Sequence, residues 1–231
     1  GTDADVTIDG GTTALIIAAS TIDGDLTLTS GNSSGITDSG TVTVGGNLSA
    51  TTDANSGVID LGTAAVTGTV ALTTNGSGNA TVDNGTLNLD LAASNVGGDL
   101  TLTSGNSSGI TDSGTVTVGG NFSATTDANS GVINMGTMAV DGSFTLAPNS
   151  TGAVTIVNDA GLNLAASTMG GTFSGTATTG NITDSGALAI TGTTTLVTSA
   201  DDATITLDTT TNAFTGALTI TTNDSSGTDA D

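Results

Sequence analysis

The chain has 231 residues, and its 22 acidic residues are accompanied by no Lys, Arg or His, so its formal net charge is −22. All of the acids are aspartates. A chain without cationic side chains has no basic patch for nucleic acid or anionic lipid. The absence of cysteine excludes disulfides and thiolate metal sites. Since no apolar run approaches the ~18 residues of a membrane span, we expect neither a nucleic-acid partner nor membrane insertion.

The composition nevertheless predicts a folded chain. Hydrophobic residues make up 35% of it and its mean hydropathy is +0.21, which is unlike a disordered acidic segment. Val, Ile and Thr favour strands, and Gly, Asn and Asp favour turns. The helix formers Glu, Gln, Lys and Arg are absent. An all-β fold follows.

The sequence is strongly repetitive. Residues 24–63 recur as residues 98–137, at an offset of 74 and with three differences in 40 positions. The differences are Leu48 to Phe122, Asp60 to Asn134 and Leu61 to Met135. A degraded third copy begins near Leu162, and the pentapeptide GTDAD occupies both 1–5 and 227–231. We therefore expect one continuous segment, residues 1–231, of about three 74–76-residue units, taken from a longer array that continues beyond both ends.

A shorter period lies within each unit. The pattern apolar-x-Gly-x-apolar recurs in steps of 22, 22, 30, 22, 22, 29, 21 and 24 residues. In chain order, each step holds a strand after the glycine (LTLTS), a strand before an Asp-x-Gly turn (ITD) and a strand after it (TVTV). This spacing predicts a parallel β-solenoid of about nine turns of 22, 22 and 30 residues. An antiparallel sandwich is the alternative, but it would not explain a register kept along the whole chain.

Alternation in the first strand of each turn predicts inward columns of apolar side chains. One column is Leu26, Leu48, Val70, Leu100, Phe122, Phe144, Phe173, Thr194 and Leu218, and the other is Leu28, Ala50, Leu72, Leu102, Ala124, Leu146, Gly175, Leu196 and Ile220. We expect each column to run unbroken along one face. The longer turns at Leu15–Ser20, Leu87–Ser94 and Leu162–Ser167 should then form a ridge at every third level.

Two strings of the repeat resemble those of a known family. The strings VGGDLTLTSGNSSGITDSGTVTVGG and LNLAAST are similar to repeats of giant filamentous-haemagglutinin-like bacterial exoproteins. The resemblance covers nearly the whole chain. It implies a right-handed parallel β-helix, an extracellular or cell-surface location, and a role as an adhesin shaft or fibre.

The sequence lacks most of the side-chain types that usually act in catalysis. His, Cys, Lys, Arg, Glu and Tyr are all absent, so the usual bases, nucleophiles and oxyanion clamps are missing. A glycoside hydrolase would need two paired aspartates, and no pair stands out from the repeat. We expect no enzymatic activity and no cofactor.

Outward threonines of the first strand form a second pattern. The candidate binding face is Thr27, Thr29, Thr51, Thr73, Thr101, Thr103 and Thr125. A flat Thr-x-Thr lattice could bind surface carbohydrate or ice, or could bundle neighbouring shafts side by side. The alternative, which we favour, is that threonine is simply a good soluble strand former.

Acidic or amide residues recur once per turn, mostly as Asp-x-Gly. The series is Asp9, Asp38, Asp60, Asp83, Asp112, Asn134, Asp159, Asp184 and Asp208. One interpretation is a turn device in which each side chain accepts nearby backbone N–H bonds and the glycine two residues later takes a positive φ. The weaker one is a ladder of stacked carboxylates that binds Ca²⁺ or Mg²⁺ as counter-ions, with Asp38, Asp60, Asp83, Asp112 and Asp184 as candidate ligands.

These patterns together predict a non-catalytic structural shaft or fibre segment of a giant extracellular adhesin or matrix protein. The alternative is a binding module that uses the threonine face for carbohydrate or ice. The expected partner is the protein itself, through end-to-end continuation and lateral bundling.

Overall fold

The computed structural model describes residues 4–225, and this part of the chain is built from β-strands joined by short turns. The strands, numbered β1 to β29 in chain order, are Val6–Asp9, Leu15–Ile17, Ser20–Ile22, Leu26–Ser30, Ile36–Asp38, Val42–Val44, Leu48–Thr52, Ile59–Leu61, Ala64–Val66, Thr69–Thr73, Ala80–Asp83, Leu89–Leu91, Ser94–Val96, Leu100–Ser104, Ile110–Asp112, Val116–Val118, Phe122–Thr126, Ile133–Val140, Ser143–Ala147, Val154–Asn158, Leu162–Leu164, Ser167–Met169, Phe173–Ala177, Ile182–Asp184, Leu188–Ile190, Thr194–Asp201, Ile205–Thr206, Ala213–Phe214 and Leu218–Asn223. Across this range, no helix is long and apolar enough to cross a membrane.

The strands stack into parallel sheets, with each turn of chain laid on the one before. Sheet A has 13 strands and follows the order β1, β4, β7, β10, β12, β15, β18, β20, β23, β26 and β29, with β13 and β16 alongside β12 and β15. Sheet B has ten strands, in the order β2, β5, β8, β11, β14, β17, β19, β21, β24 and β27. Sheet C (β3, β6, β9) and sheet D (β22, β25, β28) form a third side near the two ends. The fold is therefore the predicted parallel β-solenoid, and it has about ten turns rather than nine.

The first part of the predicted inward column is confirmed. Leu26 pairs with Leu48, and Leu48 pairs with Val70, so the three side chains stack in sheet A. All three are buried in the core. The alternation of inward apolar and outward polar residues explains this, because successive side chains of a strand point to opposite faces.

The prediction that this column continues unbroken along one face is wrong. The strand that pairs with Val70 on the next turn carries Leu91, whereas Leu100 lies in sheet B and pairs with Ala80. The repeat returns to sheet A at Phe173, which pairs with Val154. The second column divides at the same places. Each 74-residue unit therefore presents its strands to a different sheet from the unit before it.

The cause of this switch is the eight-residue segment LNLDLAAS. Its Leu89–Leu91 forms a strand of sheet A, with both leucines fully buried. The 30-residue step is therefore one complete turn plus part of the next, not one long turn. Seven strand-to-strand steps of sheet A separate Leu26 from Phe173, which lie 147 residues apart, so the mean turn is 21 residues. The predicted 22/22/30 turn lengths are corrected accordingly.

The predicted ridge of long turns is also wrong. Leu15–Ile17 and Leu162–Leu164 are strands of sheet B, and Leu89–Leu91 is a strand of sheet A. These segments are ordinary members of the two long sheets, and they do not lie above one another.

Two buried asparagines complete strands whose neighbour on the next turn is missing. Asn84 accepts the N–H of Val66 (2.7 Å) and donates to the Val66 carbonyl (2.9 Å), at the end of β9. Asn158 makes the same pair of bonds with Val140 at the end of β18, at 2.8 and 3.0 Å. Both side chains are 0% exposed. Each amide thus replaces a peptide group of an absent strand and satisfies backbone groups that would otherwise be buried without partners.

Candidate functional site

The predicted ladder of stacked carboxylates is not present. In the sheet register Asp38 pairs with Ile17, Asp60 with Thr37 and Thr81, Asp83 with Thr103, Asp112 with Leu91, and Asp184 with Leu164. No two of these aspartates are register partners. The sheet switch separates them, and the unequal turn lengths shift Asp60 by one residue relative to Asp38. The prediction of one ladder of stacked carboxylates is therefore wrong.

The turn interpretation is confirmed for Asp9 and Asp83, whose Oδ1 accepts the N–H of the glycine two residues on, and that glycine has a positive φ. The other bonded members of the series accept N–H groups one turn on instead. Oδ1 of Asp112 accepts the N–H of Gly136 (2.8 Å), and its Oδ2 accepts the N–H (2.7 Å) and hydroxyl (2.6 Å) of Thr137. The members of the series whose carboxylates accept a backbone N–H are Asp9, Asp38, Asp83, Asp112 and Asp184. These bonds place each carboxylate against the chain, either two residues on or one turn on.

Asp184 has the most extensive set of donors. Burial alone would raise the pKa of this carboxyl. The hydrogen bonds donated by the Asn212 side chain, by the hydroxyl and N–H of Thr209 and by the N–H of Asp208 outweigh it and lower the pKa below its usual value. Asp184 therefore stays ionised at lower pH than a free aspartate, because its hydrogen bonds favour the charged form.

One group of three acids in residues 4–225 has carboxylate oxygens within 4.8 Å of one another, and it consists of Asp201, Asp202 and Asp224. All three are exposed. The five candidate ligands named from the sequence do not belong to it and lie apart on different turns.

Cations should act on this chain through its overall charge. We expect Ca²⁺ or Mg²⁺ to raise the thermal unfolding midpoint modestly, and NaCl at the same ionic strength to raise it equally, because both screen the repulsion among 22 carboxylates. Differential scanning calorimetry in matched chloride series measures this. Unfolding on chelation, or a rise specific to calcium, would instead identify a metal-dependent fold.

The predicted threonine face is divided between two sheets. Thr29, Thr51 and Thr73 stack in sheet A, and Asn95 follows on the next turn. The candidates on sheet A are Thr27, Thr29, Thr51 and Thr73, and those on sheet B are Thr101, Thr103 and Thr125. In sheet B the stacked pair of Thr103 and Thr125 lies between Asp83 and Ala147. The seven threonines therefore form two short patches and not one plane.

Hydrogen bonds between successive turns are the feature that the sequence analysis missed. In each link, a side-chain oxygen accepts the N–H of the residue directly above it on the next turn. The links form one row that precedes strands of sheet A and another that precedes strands of sheet B, and we call the two rows together the Asx staircase. Its acceptors are Asp5, Asp25 and Asn47 in the first unit and Asn79, Asp99 and Asn121 in the second, with N···O distances of 2.7–3.0 Å. The signal was the Gly-Asx pair that precedes β4, β7, β11, β14 and β17.

The staircase explains the recurring glycine. A Cβ on Gly46 would collide with Oδ1 of Asp25 from the turn below, and a Cβ on Gly120 would collide with Oδ1 of Asp99. The acceptor oxygen therefore occupies the space that any side chain at the glycine position would need. In the first two units, the apolar-x-Gly-x-apolar pattern marks the place where one turn's Asx side chain enters the next turn. At Gly171, Gly192 and Gly216, backbone carbonyl oxygens of the turn below occupy that space instead.

Replacing Gly46 by alanine should therefore destabilise the fold by about 1–3 kcal/mol, the usual range for overpacking. The matched control is Gly62→Ala. A Cβ there would approach only Oδ1 of Asp60, at 3.7 Å, so we expect little change or a slight gain in stability. Urea unfolding of both variants measures the difference. Equal stabilities would refute the steric role of the staircase.

Two open depressions of about 260 Å³ lie on the surface. One is lined by Asp141, Asn163, Asn181 and Thr183, and Oδ1 of Asn163 is buried there without a hydrogen-bond partner. The other includes Thr41, Thr63 and Asp83. Each contains a single carboxylate, whereas acid–base hydrolysis of glycosides uses two.

The fold and these surfaces define a repeat β-solenoid protein. The chain belongs to the family described as repeats of unknown function (DUF5649), whose repeat matches residues 3–73, 77–137 and 151–221. The three matches begin 74 residues apart. No curated protein and no solved structure matches the chain.

Proposed function

We propose that this chain is a non-catalytic structural segment, a shaft or fibre element of a giant extracellular or cell-surface adhesin or matrix protein. The observation that carries the proposal is the single continuous hydrophobic core, which extends from Ile22 in the first turns to Leu196 near the last. Sheets A and B run beside it along the whole described length. Such an arrangement produces length and stiffness, since each turn is held by its two neighbours.

The side-chain chemistry supports a structural role. The carboxylates of most Asp-x-Gly turns are engaged with backbone N–H groups, and the staircase oxygens join successive turns. Each of the two depressions holds one carboxylate. The bonded carboxylates and the staircase oxygens therefore serve the fold itself.

The binding alternative is weakened by the division of the threonine face. A lattice that matches ice or a repetitive glycan gains binding affinity from every additional level in register. Here Thr29, Thr51 and Thr73 provide three levels before Asn95 interrupts them. The extracellular location rests on the resemblance of the repeats to haemagglutinin-like exoproteins.

Single-molecule pulling tests the structural role. The chain, held by its two ends between marker domains, should resist force and unfold in steps of one turn. A turn of 21 residues extends by roughly 70 Å at about 3.4 Å per residue. Extension without measurable resistance would overturn the proposal.

A binding assay tests the alternative. Binding to a glycan array or to ice that is lost in Thr51→Val and kept in Thr117→Val, on the same sheet, would favour the binding module instead.

A further inference from the structure

The sequence contains two Asn-Gly pairs, and the structure places them in opposite environments. They are Asn75-Gly76 and Asn84-Gly85. An asparagine followed by glycine is the pair most open to intramolecular deamidation, because glycine has no Cβ to keep its backbone nitrogen away from the asparagine side chain. The surroundings of each pair therefore decide whether it reacts in the folded protein.

The pair at Asn84 is held in place by hydrogen bonds. Its side chain is fully buried, accepts the N–H of Val66 and donates to the carbonyl oxygens of Val66 and Asn88. The nitrogen that would attack it is also engaged, since the N–H of Gly85 donates to Oδ1 of Asp83 at 2.8 Å. The two reacting groups cannot approach each other unless these bonds break.

The pair at Asn75 has none of these restraints. It lies in the exposed turn between β10 and β11. Within the part of the chain that the structure describes, the side chain of Asn75 makes no hydrogen bond and the N–H of Gly76 has no acceptor. The side-chain amide and the backbone nitrogen are therefore free to meet in water.

Corresponding turns after β7, β17 and β19 differ from this one in two respects. In each of them serine, and not glycine, follows the asparagine. In each of them the asparagine Nδ2 also donates to a carbonyl oxygen of the turn below: Asn55 to Gly31 (2.8 Å), Asn129 to Gly105 (2.7 Å) and Asn149 to Asp127 (3.2 Å). Of these four turns, only the one at Asn75 combines a following glycine with an unbound amide.

We propose that Asn75 is a site of spontaneous deamidation in the folded protein and that Asn84 is protected from the same reaction. Hydroxide removes the proton of the Gly76 nitrogen, which then bonds to Cγ of Asn75. The Cγ–Nδ2 bond breaks, Nδ2 takes a proton from water and ammonia leaves, so the hydroxide is returned. Water then opens the cyclic imide at either of its two carbonyls, which gives aspartate or isoaspartate at position 75.

The fold can hold this product. The side chain of Asn75 is exposed and supports no other group of the described chain, so its conversion breaks no contact. Each reaction adds one negative charge to the formal −22 of the chain. The same conversion at Asn84 would remove the donor to the Val66 carbonyl, so its protection preserves the core.

Incubation of the chain in mildly alkaline buffer, folded or in urea, tests the proposal. Mass spectrometry of peptic peptides follows the replacement of NH₂ by OH at each asparagine, and both Asn-Gly pairs should react at similar rates in urea. In the folded protein we expect Asn75 to react within about tenfold of its rate in urea and Asn84 at least about a hundredfold more slowly than in urea, since Asn84 must first open locally. Stronger protection of Asn75, or equal reaction of the two asparagines in the folded protein, would overturn the proposal.

Two variants separate the effect of the following residue from that of the hydrogen bond. Ser56→Gly places a second exposed Asn-Gly pair at Asn55, whose amide still donates to Gly31, and the φ of 52° at Ser56 suits glycine. In this variant Asn55 should deamidate more slowly than Asn75 in the folded protein and equally fast in urea. Gly76→Ser copies the neighbouring turns, and the Cβ it adds would meet the hydroxyl of Ser56, which can rotate away. It should suppress the reaction at Asn75 and leave Asn84 unchanged. Reaction of Asn55 as fast as Asn75 in folded Ser56→Gly, or an unchanged rate in Gly76→Ser, would refute the assignment of the site.

Discussion

Asn158→Asp is expected to destabilise the protein by roughly 3–5 kcal/mol at neutral pH, the cost of leaving a buried charge without a partner. The amide of Asn158 donates to the carbonyl oxygens of Val140 (3.0 Å) and Gly161 (2.6 Å). A carboxylate in its place has no proton to donate, so both carbonyl oxygens would lose their hydrogen bond and face a negatively charged oxygen. The side chain is fully buried, so water cannot compensate.

The same substitution should make stability depend on pH in a known direction. Burial and the two carbonyls raise the pKa of the new carboxyl above its unfolded value of about 3.9. Between these two pKa values the folded state binds more protons than the unfolded state, so the stability of the variant falls as pH rises through that window. Below it, the protonated acid can donate to one carbonyl and part of the loss is recovered.

Urea unfolding at about pH 3 and about pH 7 measures both effects relative to the parent chain. Asn75→Asp is the matched control, because it makes the same chemical change at an exposed turn residue and should alter stability by less than about 0.5 kcal/mol. If the two variants were equally stable at neutral pH, the capping role of Asn158 would be wrong.

The fold class could be predicted because its signals are local. Alternation identifies inward residues such as Leu26 and Leu48 without knowledge of their neighbours, and Gly- and Asx-rich turns separate the strands. The stacking of Leu26, Leu48 and Val70 follows from a constant 22-residue step, and the structure confirms it.

The switch between sheets could not be predicted from spacing alone. A 30-residue step fits one long turn and also one turn plus part of another, and both keep the same residues facing inward. The choice depends on whether LNLDLAAS forms a strand of its own. Its alternating leucines, of which Leu89 and Leu91 are buried in β12, are the pattern that decides it.

The candidate site was only partly predictable for a related reason. Asp-x-Gly turns such as the one at Asp83 bond within two residues, so sequence neighbours reveal them. The staircase joins residues about one turn apart, as in the bond from the N–H of Asn47 to Asp25. Recognising it requires the register of the turns, which also determines that the aspartates and threonines do not form single ladders.

Phe122→Ala should cost about 3–5 kcal/mol, the usual range for removing a buried phenylalanine. Phe122 is fully buried in sheet B, where it pairs with Leu100 on one side and Phe144 on the other. Its ring meets that of Phe144 edge to face, with the centroids 5.7 Å apart. Alanine would leave a cavity between two turns whose backbones are fixed by the ladder, so the core cannot collapse to fill it.

Phe122→Leu is the control, since leucine is the residue at the equivalent position of the first unit, Leu48, and we expect it to cost less than about 1.5 kcal/mol. Hydrogen exchange locates the damage. Because a solenoid turn contacts only its neighbours, protection in Phe122→Ala should fall in β14, β17 and β19 and be retained in β1, β4 and β7. A uniform loss of protection along the rod would show that the ten turns unfold as one cooperative unit. A loss of less than about 1.5 kcal/mol of unfolding free energy in Phe122→Ala would show that the aromatic pair is not part of a tightly packed core.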